Sequence, residues 1–145
     1  MQATIIFPHQ LFHDHPSFEQ SDKVILVEDP LLFGIDSVYP VKFHTQKLIL
    51  HRASMQAFAD ELKKKGKKVV YIEVHEQART LTSLWQHIAK EADTIHVADV
   101  VDDVLRERVE RYSSEHGIEL VWHDTPNFYL SRQEVVSYFD THNFF

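Results

Sequence analysis

The 145-residue chain, 43% hydrophobic and 26% charged, has the length and composition of one globular domain with a single core. It contains no cysteine, which removes disulfides, thiolate metal sites, iron–sulfur ligation and cysteine nucleophiles together and points to a cytoplasmic location. A net charge of −7 argues against a chain that neutralises phosphate backbones alone, and there is neither an apolar run of about 18 residues nor a signal-peptide pattern.

In chain order, short apolar runs alternate with longer amphipathic ones. Residues 4–7, 24–27, 69–74, 94–99 and 118–122 read as strands. Four of them are near-continuously apolar, as strands buried on both faces should be. A long helix is predicted over about 41–65, where Leu48, Met55, Phe58 and Leu62 recur at helical steps and Gly66 follows a lysine-rich last turn. Two more helices are predicted over about 82–92 and 102–116, and a last one opens at Ser131, which has capping-box spacing with Glu134. This alternation predicts an α/β fold: a five-stranded parallel sheet in a Rossmann- or flavodoxin-like three-layer sandwich. No repeat or linker divides 1–145, so it reads as one domain.

The stretch from Pro8 to Lys23 crosses between two parallel strands without a helical pattern, so it is expected to run over the carboxyl edge of the first strand as a loop. Ligands of open α/β sheets sit at that edge, where the strand order reverses. Functional interest therefore falls on Pro8 to Leu11 and on 28–34. Three glycines in the whole chain, with no G-x-G-x-x-G or P-loop pattern, speak against a self-standing dinucleotide or P-loop enzyme. Pro8, His9 and Gln10 stand where a receiver domain would carry acidic residues, and no G-x-S-x-G elbow is present.

His9, His13 and His15 with Asp14 resemble a ligand set, but a loop bounded by Pro16 gives poor preorganisation, and eleven histidines are scattered along the chain. The expectation is no native metal site. His44, Lys47 and His51 share one face of the long helix; they form either a solvated stripe or a ligand-facing one. The run 63–68 (KKKGKK) reads as a solvated helix end that complements the helix dipole, and Trp85 and Trp122 read as packing residues.

The ordered set of these features resembles the amino-terminal domain of the bacterial photolyase-related proteins, the cryptochrome/photolyase branch that carries an iron–sulfur cluster. The resemblance rests on Gln10 and Leu11 after the first strand, Glu28 closing the second, His44 and Lys47 before the long helix, then Met55, Phe58, Ala59, Leu62 and Gly66, and on the later TPNFYLS (125–131). It implies an antenna-type α/β domain that binds a lumazine-type chromophore through Gln10, Leu11, Glu28, His44 and Lys47. It also implies a further helical domain that holds FAD and the cluster and makes most of the contact with DNA. Where the family usually has Gly-Asp, this chain has Pro8-His9, which narrows backbone approach to that site.

The expectation is therefore the amino-terminal domain of a flavoprotein implicated in light-dependent DNA repair or light sensing, with no catalytic residue of its own. It has no membrane partner, and DNA is reached only through the parent protein. Two rivals stand beside it: a stand-alone small-molecule or nucleotide-binding enzyme, and a docking domain without chromophore. Phe144 and Phe145 at the end of the sequence fit a fragment of a longer chain, because two rings left in water forgo about 1.5–3 kcal/mol of burial each.

Overall fold

The computed structural model describes residues 1–21, 23–74 and 80–142. The terminal Phe144 and Phe145 lie outside the described residues. Five strands form the sheet: β1 (Gln2–Ile6), β2 (Lys23–Val27), β3 (Lys68–Ile72), β4 (Thr94–Ala98) and β5 (Glu119–His123). All four pairings are parallel, in the order β3-β2-β1-β4-β5. The chain builds outward from β1 to β3 and then returns to lay β4 on the other side of β1. The strand order therefore reverses between β1 and β4, and the five-stranded doubly wound α/β expectation holds.

Alternation along the strands sorts side chains to two faces. Ala3, Ile5, Ile25, Val27, Ile95 and Val97 pack against Leu84, Trp85 and Ile88 of α2 (Leu81–Glu91) and Leu105 and Val109 of α3 (Asp103–Glu115). On the opposite face Ile6, Val24 and Leu26 meet Met55, Phe58, Ala59 and Leu62 of α1 (Thr45–Lys64). Trp85 is a packing residue, stacked on Tyr112 at 6.0 Å between centroids.

The helix boundaries follow their caps. The sequence pattern extends α1 back to residue 41, but the helix begins after His44, whose backbone is extended and whose Nδ1 accepts the Gln46 N–H at 3.2 Å. At the other end the Lys67 N–H reaches back to the Leu62 carbonyl at 3.0 Å across Gly66, whose φ of 81° takes the left-handed turn. The basic run sits here, with Lys65 paired to Glu61 at 2.7 Å. Thr80 and Asp102 cap α2 and α3, and Ser131 with Glu134 forms the expected capping box at the start of α4 (Arg132–Thr141). Among its described residues the segment between β1 and β2 contains no helix and runs through turns, with Phe18 N donating to His15 O and Gln20 N to Ser17 O.

Among the described residues, no helix is long and apolar enough to cross a membrane.

Candidate functional site

The switch between β1 and β4 is spanned by residues that directly follow each strand. The Gln10 side chain is buried; its Nε2 donates to the Ala98 carbonyl at 2.8 Å and its Oε1 accepts the Phe7 N–H at 3.4 Å. His9 lies beside it, with Nε2 2.9 Å from the Val100 carbonyl. A carbonyl only accepts, so this nitrogen carries the proton. Burial lowers the His9 pKa, against the opposing effects of that hydrogen bond and of Asp102. Just beyond, Val101 holds a φ of 55° and is half in water. A β-branched residue in the left-handed region is strained. It is held there by its own N–H, which donates to Asp99 Oδ1 at 3.1 Å.

A second wall comes from the segment after β2 and from α1. Gly34 lets this wall close: a Cβ there would stand 2.6 Å from the Val41 carbonyl oxygen and 3.0 Å from the Phe43 ring. Phe33 is buried, with His51 at 6.1 Å between centroids and the Arg52 guanidinium over its ring. Lys47 Nζ stands 3.8 Å over the Phe43 ring. The His51 pKa is lowered by burial, then by the neighbouring Lys47 ammonium and, less, by the His9 ring. The edge thus gathers three basic side chains, His9, Lys47 and His51, with two aromatic rings.

At the end of β2 two consecutive carboxylates turn to opposite faces. Glu28 is buried toward α1, and each of its oxygens takes two donors. Oε1 accepts from Arg52 Nε (2.8 Å) and the Tyr71 hydroxyl (2.9 Å); Oε2 accepts from Arg52 (2.6 Å) and the Val74 N–H (2.9 Å). Burial and this carboxylate together push the Tyr71 hydroxyl pKa well up. The Val74 bond also explains why β3 ends at Ile72, short of the sequence expectation. Asp29 is buried toward α3, where Arg108 gives both of its bonds to Asp36, at 2.6 and 2.9 Å, and stands 3.8 Å from Asp29. Burial raises the Asp29 pKa to about 6, while the Leu31 N–H and then Arg108 pull against it. Asp36, bonded to Arg108, is lowered.

Of the residues singled out in the sequence, Gln10, Glu28 and Lys47 lie along this edge. Leu11 packs into the α1 side of the core, and His44 is exposed as the α1 cap. The histidines of the first loop have separate settings: His9 at the switch, His13 on Glu61 at 3.1 Å, and His15 buried with Nδ1 2.9 Å from Ser17 Oγ. Burial takes the His15 pKa to about 4. Among the described residues no group of three or more His, Cys, Asp or Glu side chains could hold a metal ion. Sequence reasoning missed Arg52, Tyr71, Asp36, Arg108 and Val101, and reached Asp29 only as part of the stretch 28–34. Only the paired acidic residues at a strand end offered a signal, since buried carboxylates require cations whose positions the sequence does not reveal.

A doubly wound parallel sheet with this polar and aromatic carboxyl edge defines an α/β domain of the open, switch-point class. The family model described as deoxyribodipyrimidine photo-lyase-related protein matches residues 4–145, and the chain belongs to that family. It is also 28% identical over 142 residues to an uncharacterised protein of Acanthamoeba polyphaga mimivirus, an alignment covering 92% of this chain and 69% of that protein.

Proposed function

We propose that this chain is the amino-terminal, antenna-type domain of a photolyase- or cryptochrome-related flavoprotein that serves light-dependent DNA repair or light sensing. Its part is to hold a planar, lumazine-type chromophore at the carboxyl edge. The observation that carries this reading is the convergence, at the topological switch point, of aromatic walls (Phe33, Phe43), basic side chains (His9, Lys47, His51) and a strained Val101. Ligands bind at such a point in open α/β sheets. Aromatic walls with a few polar groups suit a flat heterocycle.

The chain's own residues divide the work. Gln10 ties the β1 loop to the end of β4, and Glu28 ties β2 to α1 and β3, so both fix the shape of the edge. Lys47, on the exposed side, supplies a cation toward the electron-rich carbonyls of such a ring. Leu11 and the α1 core hold the floor, and His44 sets where α1 begins. When bound, the chromophore would supply light absorption. FAD and the iron–sulfur cluster belong, in this reading, to a helical partner domain: the cluster finds no thiolate here, because the chain has no cysteine. DNA is reached through that partner.

A docking domain without chromophore is the second reading. It is favoured by the fact that Gln10 and Glu28 already spend their polar atoms on the chain itself. Fluorescence titration with ribityl-lumazine separates the two. The antenna reading expects saturable one-to-one binding, weakened about 3–10-fold by Lys47→Ala as one charge-assisted contact is lost. Absence of binding by the wild-type chain selects the docking domain.

A further inference from the structure

On one face of the sheet α1 covers β2 and β3, and the first loop takes the place of a helix over β1. Thr4 of β1 holds that loop: its Oγ1 lies 2.8 Å from Ser17 Oγ and also meets Ser21 Oγ. Thr4 pairs in register with His96 of β4, whose ring is 5.2 Å from that of His123 in β5. His15 of the loop is only 4% exposed, with Phe12 and Phe18 at 5.8 and 5.2 Å between centroids. The hydrogen bonds fix where the protons sit. The Ser17 N–H donates to His15 Nδ1 at 3.4 Å, and the Ser17 hydroxyl is 2.9 Å from the same atom. Nδ1 is therefore the bare nitrogen, and the ring proton is on Nε2, buried and without a hydrogen-bond partner among the described residues. His96 repeats the arrangement. Its Nε2 is 3.2 Å from Gln2 Oε1, which only accepts, so its Nδ1 accepts from His123 Nε2 at 3.0 Å. A further proton on either ring has to enter at Nδ1, against an N–H that already points there.

The surroundings give a positive charge little support. From the strands, His123 opposes one at His15, and Glu119 favours one at His96 by less than burial disfavours it. From the α1 side, Lys67 Nζ is bonded to the Phe18 carbonyl at 2.7 Å, while Glu61 is taken by His13 and Lys65. Asp14 and Glu19, on the loop itself, are exposed. Burial accordingly holds all three rings below the ordinary histidine value, His15 at about 4. We propose that the first loop is a proton-released cover: proton uptake at His15 and at the His96–His123 pair lifts residues 12–21 from the sheet and slackens the adjoining Gln10 and His9 at the carboxyl edge. The device works whatever that edge binds. In the lifted loop His15 titrates at its ordinary 6.5, so the cover is fully held above that value and weakens as pH falls toward about 4.

Amide hydrogen exchange on the full chain, corrected for the intrinsic pH dependence of exchange, tests this. The Phe18 and Gln20 amides, bonded within the loop, should lose about thirtyfold in protection between about pH 7.5 and about pH 5 from His15 alone. At both pH values they should exchange well ahead of Ile25 and Leu26 in the centre of the sheet. His15→Gln keeps an acceptor for Ser17 and does not titrate, so its loop should respond far less. Loop protection that does not change with pH overturns the proposal, and so does a His15→Gln loop with the full wild-type response. Loop and β2 amides exchanging at one common rate near pH 5 report unfolding of the whole domain, which also overturns it. Should the variant fail to seat its loop even at neutral pH, the wild-type ring decides: His15, followed by carbon NMR, should titrate well below 6.5, and titration at the ordinary value overturns the proposal.

Discussion

The two carboxylates that end β2 are neighbours in sequence and opposites in circumstance. Glu28 turns toward α1 and finds four donors for its two oxygens. Asp29 turns toward α3 and finds a guanidinium already committed to Asp36. Both are buried, so burial alone does not decide what a charge costs; the number of donors left for it does. The saturated carboxylate locks α1, β2 and β3 together beneath the edge. The under-supplied one is held at a cost, beneath the wall formed by residues 29–43.

The sharpest way to break this contrast is Glu28→Ala. It strands the Tyr71 hydroxyl and the Val74 N–H and leaves Arg52 to solvent, so chemical denaturation should report a loss of about 2–4 kcal/mol. Asp36→Asn should cost less, about 1–3 kcal/mol, because the amide keeps an acceptor for the Val38 and Tyr39 N–H groups that Asp36 now holds. It also frees Arg108 for Asp29, so the Asp29 carboxyl carbon, followed by NMR, should titrate below the present value of about 6.

Asp29→Asn has the smallest effect and the opposite sign. The folded state favours protonated Asp29, with a pKa of about 6 against 3.8 for the free side chain. Below the lower value both states are protonated and nothing is lost. Between the two values the penalty on the fold grows, and above about 6 it is complete. Asparagine removes it and retains the oxygen that accepts the Leu31 N–H at 2.9 Å. The variant should therefore gain about 1–2 kcal/mol near neutral pH and nothing at strongly acidic pH. Denaturation curves at both pH values check this, and equal curves for the two proteins throughout would remove the contrast between the carboxylates.

How much of this was legible beforehand follows the range of each interaction. The strands, the helices and the parallel sheet come from local patterns, near-continuous apolar runs for the strands and a period of 3.6 for the helices, reinforced by Gly66, Ser131 and Glu134. The start of α1 shifted because its cap is unusual: His44, a histidine in a place usually taken by Ser, Thr, Asp or Asn. The edge was located by topology, but its partners were not. Arg52 lies 24 residues from Glu28, and Arg108 lies 72 from Asp36. Contacts of that span leave no periodic trace. Gln10 illustrates the same limit: a polar residue just past a strand reads as ligand-facing, yet its amide spans to the end of β4, 88 residues away.

In the proposed reading, the carboxyl edge between β1, β4 and the amino-terminal half of α1 receives a planar heterocycle. Amide chemical-shift mapping of the full chain, titrated with ribityl-lumazine, tests it most directly. The largest changes should cluster on His9, Val101, Phe33, Lys47 and His51, leaving Phe128 to Val136 unmoved. Changes centred instead on that last segment, or none at saturating ligand, would contradict it.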